Sequence, residues 1–307
     1  EVMGVGGLSQ GGIASMLNND NFNIHSSLLP ETKIILLNQQ NESLKFFREK
    51  KVRLALLLGL NRKYFVNEFL SGQAVLASSP IPPGNWAFND SLMNVDYDPD
   101  NAADLLSESG WALPESDVEG INDNSGLQKD GQDLKFQLLV PNDDLSVVLG
   151  EIAVEDWGQL GINAVLQTVE PDILKEEHLD TREFQAIMID LSLQRTPDPD
   201  PYPFWHQTEI ESGQNYSGYD NRIISEYLEQ ARTTPSISAR TGLYHMFQKR
   251  FVDDTPALLV YHPVYSYVTN KVVNGVHMGP IIEPSDRFNG IANWYIVIRR
   301  VVGRLTN

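Results

Sequence analysis

The sequence predicts an α/β fold built on a parallel-type sheet, and three observations carry that reading. Apolar runs of strand length alternate with amphipathic stretches of helical period between residues 134 and 190. The connections between them are short, which favours strand–helix–strand units that return to one sheet. Apolar residues make up 41% of the 307 positions, enough for a substantial core.

Taken in order, residues 1–31 are rich in Gly, Ser and Asn and read as loosely structured. Lys33-Ile34-Ile35-Leu36-Leu37 is a short apolar run with the character of a buried strand. Arg48 to Leu60 reads as a helix, and Asn61 is placed to cap a second one through Leu70, with Gly72 beyond its end. Asp100 to Ser109 is a short amphipathic helix stopped by Gly110. Lys129-Asp130-Gly131 signals a turn leading into a strand from Leu134 to Val140.

The next stretch is the most regular. Leu145 to Leu160 carries Leu149, Ile152, Ala153, Trp157 and Leu160 on one stripe, with Gly161 at the C′ position. Ile162 to Thr168 alternates as a strand, Pro171 opens a helix at its first position, and Phe184 to Asp190 is a third strand. Proline at every second position from 197 to 203 predicts a stiff, extended and exposed loop through Trp205, on which Asp198 and Asp200 are solvated charges. Two helices follow. Asp220 to Arg232 has a stripe of Ile223, Ile224, Tyr227, Leu228 and Ala231, and Ser238 to Val252 has Leu243, Phe247 and Phe251. Ala257 to Tyr261 is a strand.

Charge and composition exclude several functions. With 23 Lys+Arg against 41 Asp+Glu the net charge is −18, and no basic cluster reverses it locally, so no nucleic-acid partner is expected. Zero cysteines remove disulfides, thiolate metal sites and Cys nucleophiles. The six histidines show no i, i+2 or i, i+4 pairing, so neither a metal nor any other cofactor is expected. Gly7-Leu8-Ser9-Gln10-Gly11 fits the G-x-S-x-G elbow of serine hydrolases. That elbow needs a strand before it, and Gly4 and Gly6 argue against one, so a glycine loop is the stronger reading. A serine hydrolase using Ser9 stays as the rival class, and a binding lobe of a sensory protein is the third reading.

In sequence order these segments resemble the substrate-binding proteins of bacterial peptide/nickel-type ABC importers, the oligopeptide- and dipeptide-binding family. The resemblance is carried by Val52-Arg53-Leu54-Ala55-Leu56 through Gly59-Leu60-Asn61-Arg62 and by Ser79-Pro80-Ile81-Pro82. Tyr97-Asp98-Pro99-Asp100 through Gly110-Trp111, Leu160-Gly161-Ile162-Asn163, Asp198-Pro199-Asp200 and Asn215-Tyr216-Ser217-Gly218-Tyr219 continue it, and Val273-Asn274-Gly275 and Trp294 complete it. It implies a type II periplasmic-binding-protein-like lobe, a mixed sheet flanked by helices, with the first lobe largely absent. Residues 1–32 would be a remnant of that lobe or a lead-in, 33–267 the C-terminal substrate-binding lobe, and 268–307 a return segment.

By the same resemblance the protein would be non-catalytic and extracytoplasmic. It would hold a peptide or other small solute in a clamshell, deliver it to ABC transporter permease subunits, and touch the membrane only through an N-terminal lipoprotein anchor that this sequence lacks. Expected ligand-binding residues are Asn38, Ser192, Leu193, Gln194, Arg195, Tyr202, Trp205, Tyr261 and Tyr265. Peptide-binding members carry an Asp three residues before the Asp-Pro-Asp motif, where it pairs with the peptide's α-amino group. Here that place holds Arg195, a permanent cation suited to acidic or oxygen-rich groups.

Overall fold

Two sequence-distant segments form the first of two compact units, Glu1–Leu29 with Val264–Asn307, and the second unit is Pro30–Pro263. The computed structural model describes residues 3–8, 10–17, 19–114, 126–193, 198–279 and 281–297. Ser9, Gln194 and Arg195 therefore lie outside the described residues.

The glycine-rich start is more regular than its composition suggests. It forms strand β1 (Gly4–Gly6), helix α1 (Gln10–Leu17) and strand β2 (Phe22–Leu28). The expectation that Gly4 and Gly6 rule out a strand before Ser9 is therefore corrected, because cross-strand pairing outweighs the low strand preference of glycine. The later strand β10 (Ala257–Asn270) explains why. Its distal half pairs antiparallel with β2, Val264 opposite Leu28 through Asn270 opposite Phe22, and also with β1. Pairing with a strand far along the chain is a signal that local composition does not carry. Glycine is needed here, because a Cβ at Gly4 or Gly6 would run into the Tyr267 or Tyr265 side chain.

The second unit begins with β3 (Glu31–Leu37), followed by α2 (Lys50–Leu58), α3 (Arg62–Glu68), β4 (Ala74–Leu76) and α4 (Pro99–Glu108). Asn61 caps α3 by accepting from Tyr64 N at 3.0 Å, and Gly110 follows α4 at φ +86°. A small hairpin, β5 (Gln128–Lys129) and β6 (Gln132–Asp133), turns through Asp130 and Gly131, both at positive φ. Strand β7 (Lys135–Pro141), helix α5 (Asp144–Gln159), strand β8 (Asn163–Val169), α6 (Pro171–Ile173) with a π-helical turn (Leu174–Leu179), and β9 (Ala186–Ser192) then make the expected repeating unit. Helices α7 (Tyr202–Trp205), α8 (Arg222–Thr233) and α9 (Ile237–Asp254) lead into β10. Short strands β11 (Val273–Asn274) and β12 (Tyr295–Ile296) pair within the first unit.

The sheet of the second unit runs β10–β3–β9–β7–β8. It is mixed: β7 is parallel to β8 and β9, while β3 is antiparallel to both β9 and β10. Alternate residues serve opposite faces. Ile35, Leu37, Leu138, Val140 and Met188 face a core shared with α2, α4 and α5. Ile34, Leu36, Leu139, Ile187 and Leu191 face a second core with Phe247 and Phe251 of α9 and Leu228 of α8.

Three further expectations need correction. The proline-rich segment is not an exposed extended loop throughout: Tyr202–Trp205 is a helical turn, and Trp205 is 1% exposed, edge-on to Phe251 with centroids 4.6 Å apart. Proline at the start of a helical turn is compatible with it, and that overrides the alternating pattern. Ile223, placed on the buried stripe of α8, is exposed, since the face centres on Ile224, Leu228 and Ala231. Asp198 and Asp200 are ion-paired to helices α9 and α8 and are not free solvated charges.

Candidate functional site

Strands β7 and β9 lie side by side and parallel, yet their onward connections diverge. From β7 the chain passes through α5 to β8 at one edge. From β9 it passes through α7, α8 and α9 to β10 on the other side. Crevices at the carboxyl ends of such diverging strands are where open α/β sheets hold ligands. The residues at that end are Asn142 and Asp143 after β7, Asp190 and Ser192 at the end of β9, and Glu31 to Lys33 at the start of antiparallel β3.

These side chains form a connected polar set. Asp143 caps α5, its carboxylate accepting from Ser146 N at 2.9 Å. Lys33 stands opposite Asp190 in the β3–β9 register and donates to Asp190 Oδ2 at 2.8 Å and to Ser146 Oγ at 3.2 Å. Tyr261 pairs with Lys33 across β10. Burial raises its hydroxyl's pKa, and the Asp190 and Asp143 carboxylates push the same way, so it stays a neutral phenol. His262, fully buried, places Nδ1 3.0 Å from Thr32 Oγ1 and 3.1 Å from the Glu31 carbonyl. Burial pushes its pKa down to about 4 against the opposing pull of that carbonyl, leaving a neutral imidazole.

Beside this set lies a cavity of about 580 Å³, with Asp190, Ser192, Leu193, Asp198, Phe204 and Tyr216 in its wall. The Asp-Pro-Asp segment is held in place from two helices. Asp198 pairs with Arg240 at 2.7 Å and accepts from the Tyr244 hydroxyl at 2.8 Å. Asp200 accepts a two-pronged contact from Arg232, at 2.9 Å from Nε and 2.7 Å from Nη2. Arg232 also lies 3.7 Å over the Tyr202 ring, which stacks on His206.

Of the expected residues, Ser192 and Leu193 line this cavity. Asn38 does not join them: it follows the other end of β3, where its backbone N–H donates to the Gln185 carbonyl and its side chain to the carbonyls of Arg182 and Phe184. Trp205 is core. Tyr261 is 6% exposed and stacks on Phe65. Tyr202 is half-buried in its stack, and Tyr265 belongs to the first unit, paired with Ser27. Sequence reasoning missed Lys33, Asp143 and Asp190. Two signals were present, a lysine heading an apolar strand and an Asn-Asp pair between a strand and a helix. Among the described residues no group of three or more His, Asp or Glu side chains could hold a metal ion.

Comparison with known proteins converges on one family. The sequence model of bacterial extracellular solute-binding proteins, family 5 (middle region), matches residues 1–213. The oligopeptide-binding protein AppA of Bacillus subtilis is 28% identical over 262 residues, which are 83% of this chain and 46% of that protein. The dipeptide-binding protein of Escherichia coli is 26% identical over 242 residues, 75% of this chain and 41% of that protein. The chain thus spans less than half the length of these curated relatives. Among solved structures, B. subtilis AppA in complex with a nonapeptide superposes with a TM-score of 0.76 at 22% identity, covering 97% of this chain and 56% of that one. NikZ from Campylobacter jejuni in complex with Ni(L-His) gives 0.72 at 22% identity, covering 95% and 57%.

Proposed function

This chain belongs to the bacterial extracellular solute-binding proteins of family 5, and we propose that it supplies a ligand-binding lobe of an extracytoplasmic receptor for an ABC importer. The ligand is a peptide or peptide-like solute, held without chemical change against a complementary lobe. The observation that carries this reading is the cavity at the carboxyl end of β9, with Ser192 and Leu193 in its wall, at the point where β7 and β9 diverge. A peptide offers backbone donors and acceptors that polar groups at strand ends can meet, while the apolar wall around Leu193 and Phe204 tolerates varied side chains. The similarity to an oligopeptide-binding and a dipeptide-binding protein supports the ligand class.

The similarity to binding proteins supports a non-catalytic reading. Beside the cavity, Ser146 is buried and its Oγ accepts from a lysine already engaged by Asp190, so it is no accessible nucleophile. Labelling of Ser9 by a phosphonate probe would favour the serine hydrolase instead. Arg195, two residues beyond Leu193 in the sequence, is the proposed contact for an acidic or oxygen-rich group of the ligand. Calorimetric titration of the full-length protein with di- to pentapeptides tests the assignment. Ser192→Trp, which places a bulky ring in the cavity wall, is expected to lower peptide affinity at least tenfold with the melting temperature retained. Unchanged affinity overturns the site.

A further inference from the structure

A second cavity, of about 510 Å³, opens at the opposite end of the same sheet, where β7 and β9 begin and β3 ends. Its wall is unusually rich in carboxamides, and three of them are anchored by one end only. Gln185 Oε1 accepts from Gln137 N at 2.6 Å, Asn41 Oδ1 accepts from Ser43 N at 3.0 Å, and Gln40 Nε2 donates to the Gly218 carbonyl at 2.8 Å. Among the described residues, Gln185 Nε2, Asn41 Nδ2 and Gln40 Oε1 have no protein partner, so the wall offers two donors and one acceptor on fixed supports. Gly218, at φ +65°, makes room for this, because a Cβ there would collide with the Gln40 side chain.

The one cation in the wall is committed elsewhere. Arg182, itself at φ +61°, donates from Nε to the Ile210 carbonyl at 2.8 Å and from Nη2 to that of Gly213 at 2.7 Å. Its guanidinium lies 5.5 Å over the Tyr216 ring. Phe184, Ile210 and Tyr216 add apolar surface. The wall also holds the exposed carboxylate of Glu183, which accepts hydrogen bonds and disfavours anions. Amide donors and acceptors with that carboxylate, beside an apolar floor, suit an uncharged ligand carrying many hydroxyls, since each hydroxyl both donates and accepts.

We propose that this amino-end cavity is a second binding site, distinct from the one at Ser192, for a neutral saccharide of about one or two rings. Tyr216 is the wall residue that both cavities share. Free sugars and glycan strands present the same hydroxyl chemistry, and two probes separate them: cellobiose, and di-N-acetylchitobiose with its acetamido groups.

The test follows the side-chain amide resonances of the full chain by NMR during titration with each probe. Saturable shifts at Gln185 and Asn41 are expected. A response to both probes assigns the site to sugar hydroxyls, and a response to di-N-acetylchitobiose alone assigns it to acetamido glycans. Gln185→Glu and Asn41→Asp keep the anchoring oxygen and remove the free donor, so the fold is retained and affinity is expected to fall about tenfold for each. Absence of saturable shifts with either probe, shifts confined to residues lining the other cavity, or undiminished affinity in both variants overturns the proposal.

Discussion

Lys33 Nζ lies 2.8 Å from Asp190 Oδ2, joining a lysine side chain 7% exposed to an aspartate side chain 50% exposed. The pair is therefore asymmetric. Removing the aspartate strands a buried cation whose remaining hydrogen bond, among the described residues, is to Ser146 Oγ at 3.2 Å. Removing the lysine leaves a carboxylate that water can reach.

The two truncations should differ accordingly. Asp190→Ala is expected to cost about 1–3 kcal/mol of unfolding free energy. Lys33→Met, which fills the same space without charge, is expected to cost less than about 1 kcal/mol. Urea denaturation of both variants at neutral pH measures the difference, and equal losses would contradict the asymmetry.

His262 makes stability depend on pH in one direction. Its folded pKa, about 4, lies below the unfolded value of 6.5 because burial opposes the imidazolium. The unfolded chain therefore takes up a proton first as pH falls. The stabilisation is complete above pH 6.5 and is lost progressively down to about pH 4. The shift corresponds to a loss of up to about 3 kcal/mol across that window. His262→Gln should flatten the dependence between pH 7 and pH 4 in denaturant titrations. An unaltered slope would assign it to carboxylates instead.

What the sequence made legible follows from range. The β7–α5–β8–α6–β9 unit was readable because its period, caps and short connections are local: Asp143, Gly161 and Pro171 each mark a boundary where they stand. The strands at Gly4–Gly6 and Phe22–Leu28 were not, because their partner is a strand more than 230 residues away, Val264 to Asn270. The site divided in the same way. Ser192 and Leu193 could be placed at a strand end. Asn38 was grouped with them because it too follows a strand, but β3 runs antiparallel to β9 and carries it to the other end of the sheet. Direction within a sheet is a tertiary fact, and it separates the two cavities.

The Asp-Pro-Asp segment gives a prediction that separates stability from binding. Arg232 and Asp200 are both partly exposed, so their pair contributes less than about 1 kcal/mol to folding. Yet Asp200 lines the carboxyl-end cavity, and the pair fixes the wall there. Arg232→Gln is expected to leave the denaturation midpoint nearly unchanged while speeding peptide dissociation several-fold, as read by surface plasmon resonance. High salt should produce the same kinetic change in the unmodified protein. A dissociation rate insensitive to both would show that the wall is held by Asp198 and its partners alone.

Arg53 accounts for a buried cation in α2 that no carboxylate balances directly. Its side chain is enclosed, and its guanidinium donates to three backbone carbonyls: Phe47 at 2.8 Å, Asp254 at 2.7 Å and Thr255 at 2.8 Å. Burial pulls its pKa down, partly offset by the Tyr219 hydroxyl and the Asp254 carboxylate. Two of the three carbonyls belong to the end of α9, where Thr255 closes the helix at φ +48°. A β-branched residue is strained in that left-handed conformation, and the arginine draws stability from carbonyls that the strained turn presents. Thr255→Gly relieves the strain and keeps the carbonyl, so it should stabilise the fold by about 0.5–1 kcal/mol. Arg53→Lys cannot span three carbonyls with one ammonium and should cost about 3 kcal/mol. In the double variant the glycine gain should shrink, because a turn no longer clasped by Arg53 can relax without it. Strict additivity of the two changes in denaturation free energy would show that the turn and the arginine act independently.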